Sequence, residues 1–99
     1  MFENVRDKFR QNVRNLDYVM TLHAEEEMEN DGLSIFDVEA AILTGDVIER
    51  QKDHDTSEWK YIVSGRSLDD ETINVVGKLS PRGKLVIITV YSEGNGRTS

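Results

Sequence analysis

The chain is predicted to fold as an α+β domain, two to three N-terminal helices packed on a four-stranded antiparallel sheet, and three observations lead there. Apolar residues recur every three or four positions up to Thr44 and alternate from Asp46 onward. Asp31-Gly32, Gly45 and Ser80-Pro81-Arg82-Gly83 supply stops and a tight turn between the periodic stretches. At 99 residues the length allows one hydrophobic core.

Taken in order, Phe2, Val5, Phe9, Val13 and Leu16 form one stripe, which predicts a helix over residues 2–15 with Arg6, Lys8, Arg10 and Arg14 on its other face. A second helix begins near Thr21, turns Leu22, Ala24 or Glu25, and Met28 or Glu29 inward, and stops at Asp31-Gly32. Ser34 and Asp37 have capping-box spacing for a third helix, Leu33 and Val38 can staple its start, and Gly45 ends it. Strands are then expected at Val47–Arg50, Trp59–Gly65, Thr72–Lys78 and Lys84–Ser92. In the last of these, strict alternation puts Thr89 and Tyr91 on the face of Leu85 and Ile87, and Val86, Ile88 and Val90 on the other. Being apolar on both faces, it reads as a central strand, or as one covered by helix on one side and a second chain on the other. The chain thus divides into an N-terminal helix within residues 1–18, a core over 19–92 and a flexible tail over 93–99.

Composition excludes several functions. There is no cysteine, hence no disulfide framework, thiolate zinc site or Cys nucleophile. No apolar run approaches the ~18 residues of a membrane span, and the charged N-terminus is unlike a secretory signal, so a cytoplasmic location is expected. The net charge of −7 argues against long-range attraction to nucleic acid. That charge is local, with +1 over residues 1–20, −10 over 21–58 and +2 over 59–99.

His23 is the first candidate for chemistry, because imidazole is the usual acid or base near neutral pH. Glu27 lies one turn on and can orient the ring, although an isolated pair of this kind also forms on ordinary helix surfaces. The acidic run from Glu25 to Asp31 lacks a second histidine at a ligand interval, so it reads as a solvated helix face and no metal or other cofactor is expected. His54 sits among acids in a polar loop and reads as solvent-exposed. Arg66, Lys78, Arg82 and Lys84 are the cations able to converge on a phosphate, although edge lysines also serve to discourage strand pairing.

The segment Thr21-Leu22-His23-Ala24 through Met28, Gly32-Leu33-Ser34, Asp37-Val38 with Ala41-Ile42, and Gly45-Asp46-Val47-Ile48 resembles a bacterial family of unknown function, numbered 4258. Tyr61-Ile62-Val63-Ser64-Gly65, Ile73-Asn74-Val75-Val76 and Ile87-Ile88-Thr89-Val90-Tyr91 extend the likeness over about residues 19–91. The resemblance implies a compact ribonuclease fold of the RelE and colicin type and a toxin-like role beside a zinc-finger antitoxin. It also implies a cofactor-free cleavage of RNA in which His23, Thr89 and Tyr91 are catalytic and Arg66 and Lys78 bind substrate. The chain departs from the family pattern at Glu27 and at Asp31 or Asn30, where arginines are typical. Two expectations therefore stand together. One is a toxin-like ribonuclease, active or degenerate; the other is a non-catalytic interaction module, a homodimer or the partner of a basic protein through its acidic helix, with His23 structural.

Overall fold

A computed structural model describes residues 1–93. The first apolar stripe forms α1 (Glu3–Arg14), which buries Phe9 and Val13. Leu16, the expected end of that stripe, is instead 73% exposed and takes a left-handed φ of 55° as the chain turns out of the helix. After it come β1 (Tyr18–Met20), α2 (Leu22–Asn30), α3 (Ile35–Thr44), β2 (Asp46–Lys52), β3 (Trp59–Arg66), β4 (Thr72–Leu79) and β5 (Leu85–Ser92). Of the expected tail only Glu93 is described; residues 94–99 lie outside the described residues.

The α+β class holds, but the sheet is mixed and has five strands, in the order β1-β5-β4-β3-β2. The expectation of four antiparallel strands is corrected by β1, which runs parallel to β5 with Tyr18 opposite Leu85 and Met20 opposite Ile87. Three residues are too few to show a period. They become a strand only through remote pairing, with Leu85 N–H donating to Asp17 O at 3.2 Å and Thr21 N–H to Ile87 O at 3.0 Å. The Tyr18 hydroxyl donates to the Glu39 carboxylate, tying β1 to α3; burial first, and this partner second, push the phenol pKa up.

α1 and α3 cover one face of the sheet. Phe9, Val13, Val38 and Ile42 meet Val63, Ile73, Val75, Leu85, Ile87 and Val90 in one cluster. α3 lies so close to β3 that only glycine fits at position 65. In α2 it is Ala24 that is fully buried, whereas Leu22, expected to turn inward, is 70% exposed.

The capping box of α3 forms as its spacing predicts: Asp37 N–H donates to Ser34 Oγ at 3.3 Å and Ser34 N–H to Asp37 Oδ2 at 2.9 Å. The second oxygen of Asp37 accepts from Leu68 N–H at 3.1 Å. The backbone bond from Ser34 first, and that from Leu68 in support, hold the Asp37 carboxyl below its usual range. A depressed folded-state pKa gives stability that is present above the unfolded value and lost as pH falls through the lowered one. Asp37→Asn, which removes one accepting oxygen, should therefore cost about 1 kcal/mol near neutrality. The two proteins should converge in acid, and urea midpoints across pH would show it.

One irregularity decides which way β5 presents its side chains. Gly77 lies opposite Ile87 but Val76 opposite Thr89, so Ile88 is an extra residue, a bulge. Leu85, Ile87 and Val90 consequently face the helices, each at most 1% exposed. Thr89 and Tyr91 lie opposite Val76 and Asn74 on the other face, which corrects the expectation that they share a face with Leu85 and Ile87. Among the described residues, no helix covers this second face. Among the described residues, no helix is long and apolar enough to cross a membrane.

Candidate functional site

β1 pairs with β5 only as far as Ile87, so the N–H groups farther along that edge need other acceptors. α2 supplies them. Its N-cap Thr21 accepts from Ala24 N–H at 3.1 Å and donates its hydroxyl to Ile88 O at 3.2 Å, which starts the helix beside the strand. One turn apart on the same helix face, Glu27 Oε1 accepts from Val90 N–H and Asp31 Oδ2 from Ser92 N–H, both at 3.1 Å. These two carboxylates thus act as a surrogate strand for the edge of β5.

The other oxygen of Glu27 lies 3.3 Å from His23 Nε2. The imidazole is therefore oriented by a carboxylate that is itself fixed to the backbone between Thr89 and Tyr91, while its side chain stays 65% exposed. An exposed imidazole with an anchored carboxylate on one nitrogen can take up and return a proton at the other.

On the open face, Tyr91 is exposed and Thr89 half-buried, and Lys78 stands opposite Val86 with its ammonium 2.8 Å from Glu58. Arg66 lies on the same face opposite Thr72 and is held by Asp70 at 3.3 Å. Six positions of β4 separate Thr72 from Lys78, so the two cations stand ~20 Å apart along the sheet. The structure thus gathers His23, Thr89 and Tyr91 around one backbone position and puts Lys78 and Arg66 along the same face, without converging them. Lys84 pairs with Asp17 at 3.3 Å and Arg82 is exposed in the turn before β5, so neither joins the group. His54 is exposed in the loop between β2 and β3.

Sequence reasoning missed two features of this face. Asn74, between Ser64 and Tyr91, is 2% exposed and donates to Glu93 Oε2 at 2.8 Å, while its Oδ1 has no partner among the described residues. Only its odd position in an otherwise apolar strand hinted at it. The second is a cavity of about 250 Å³ near the start of α2, floored by Val86 and Ile88 and walled by Lys60, Lys78, Asp53 and Glu58. Asp53 accepts from the N–H groups of Asp55 and Thr56 at 2.9 and 3.3 Å, which hold its carboxyl below the usual range; Lys78 does the same for Glu58. Loop residues brought back over a sheet leave no spacing signal to find.

The family model described as "Domain of unknown function (DUF4258)" matches residues 20–92, from the last residue of β1 to the end of β5, and leaves α1 outside the match. Neither a curated protein nor a solved structure matches the chain. The strand that carries Thr89 and Tyr91, the helix that carries His23 and the bulge between them all fall within that match, and the chain belongs to the DUF4258 family.

Proposed function

We propose that this domain is a toxin-like protein with a ribonuclease fold of the RelE and colicin type, which takes RNA along the open face of its sheet. The observation that carries the reading is the bulge at Ile88, which turns Thr89 and Tyr91 onto the face of Lys78 and Arg66, while Glu27 holds His23 at the edge of the same strand. In this reading His23 takes the proton of a ribose 2′-hydroxyl, whose oxygen bonds to phosphorus as the bond to the 5′ oxygen breaks. Tyr91 protonates the leaving oxygen, and Lys78 and Thr89 stabilise the crowded phosphate. Arg66 holds the strand farther along. Glu27 is a positioning residue that fixes the ring. The ion pairs on Lys78 and Arg66 are partly or fully exposed to solvent and are worth about 0–1 kcal/mol, so a phosphate can displace them. An antitoxin-like protein is the partner this role requires.

A second reading, a non-catalytic interaction module, draws on the outer surface of α2, where Glu25, Glu26 and Glu29 are exposed and would meet a second copy or a basic partner. Induced expression separates the two. Growth arrest with RNA cleavage is expected, and His23→Ala should slow cleavage about a hundredfold while leaving the thermal midpoint unchanged. Equal arrest by both proteins, or none by either, would leave the interaction module standing.

A further inference from the structure

The cavity near the start of α2 has a chemistry of its own. Lys60 lies one step along the ladder from the Tyr61–Gly77 pair and so neighbours Lys78 across the strands, the like charges of the two being offset by Glu58 on Lys78 and by Asp53. Glu58 takes one donor of the Lys78 ammonium, leaving two. Among the described residues, Lys60 has the longer-range field of Asp53 and no ion pair. Asp53 and Glu58 stand among these lysines in the same lining and, when ionised, only accept. Val86 and Ile88 form an apolar, half-buried floor of the same cavity. A simple anion would meet the lysines but leave the floor wet, and an apolar molecule would leave the charged groups unmatched. The volume, about 250 Å³, falls below the roughly 300–1,000 Å³ of sites for larger ligands, so the occupant is a single small unit.

We infer that this cavity is a nucleotide subsite: it holds one nucleotide of an RNA strand with the phosphate on Lys60 and Lys78, the base over Val86 and Ile88, and an amino group of the base toward Asp53 and Glu58. The inference rests on the ribonuclease reading and adds to it a choice of base. Carboxylates accept from the exocyclic amine of cytosine or adenine, and uracil has no such amine. Ile88 directly precedes Thr89, so a nucleotide here sits beside the proposed site of cleavage.

The test is an amide-resonance NMR titration of the full chain with CMP, AMP, UMP, inorganic phosphate and glycine, each to millimolar concentration. CMP and AMP should shift the resonances of Lys60, Val86 and Ile88, with UMP at least about tenfold weaker. Lys60→Ala should abolish the shifts. Glu58→Gln, which keeps the volume and frees Lys78, should strengthen phosphate binding and erase the preference between CMP and UMP. Shifts absent or elsewhere would overturn the subsite, as would phosphate alone binding as well as CMP, UMP matching CMP in the wild type, or glycine binding more tightly than the nucleotides. Cleavage by the wild type and not by His23→Ala would still uphold the ribonuclease reading in that case, so the two failures are distinguishable.

Discussion

Gly65→Ala is expected to destabilise the domain by about 3 kcal/mol or more, lowering its melting temperature by roughly 15 °C, and to leave much of the protein insoluble. An added Cβ would land on the carbonyl oxygen of Ala41 and lie 2.7 Å from its carbon and 2.9 Å from its Cα. All three are backbone atoms in the middle of α3, so relief requires moving the whole helix off β3. Gly77→Ala is the matched comparison. There the new carbon would meet Leu85 Cδ1 at 3.0 Å and Phe9 Cε2 at 3.3 Å, the ends of side chains that can shift, and about 1 kcal/mol is expected. Thermal melts of the two variants should differ widely; similar midpoints would mean that α3 does not sit this tightly on the sheet.

Asn12→Ala should cost about 2–3 kcal/mol, seen as a lower urea midpoint with an unchanged slope. The side chain is 1% exposed, and its amide donates to Asp17 O at 2.9 Å and to Gly83 O at 2.8 Å. Those carbonyls belong to the lead-in to β1 and to the turn between β4 and β5, so one residue of α1 sets β1 beside β5. Alanine leaves both acceptors without this donor and opens a void. Asn12→Asp should be worse, since it turns a carboxylate toward two carbonyl oxygens. A loss under about 0.5 kcal/mol for alanine would place it among ordinary surface changes and rule out that role.

What could be read from the sequence follows from how local each cause is. The capping box at Ser34 and Asp37, the stop at Gly32 and the strands after Trp59 depend on neighbours along the chain, and the structure has them. β1 depends on β5, sixty-seven positions away in register, and three residues cannot announce it. The bulge was hidden because Val86, Ile87 and Ile88 are all apolar, so the run from Leu85 to Ile88 does not reveal where alternation slips by one. Nothing beside Asn12 and Asn74 in the chain announces their burial, because their partners come from remote segments. In the sequence Glu27 reads as a partner for His23 and Asp31 as part of a solvated acidic face. Their geometry instead turns them toward N–H groups of β5.

The bulge in β5 takes up one residue more than a regular ladder would hold. Excising Ile88 alone would make the ladder regular and leave Thr89 and Tyr91 opposite Val76 and Asn74, still on the open face, with Val90 still against the helices. Within the family, a relative one residue shorter at this point would therefore present the same two hydroxyls on the same face from an unbulged strand.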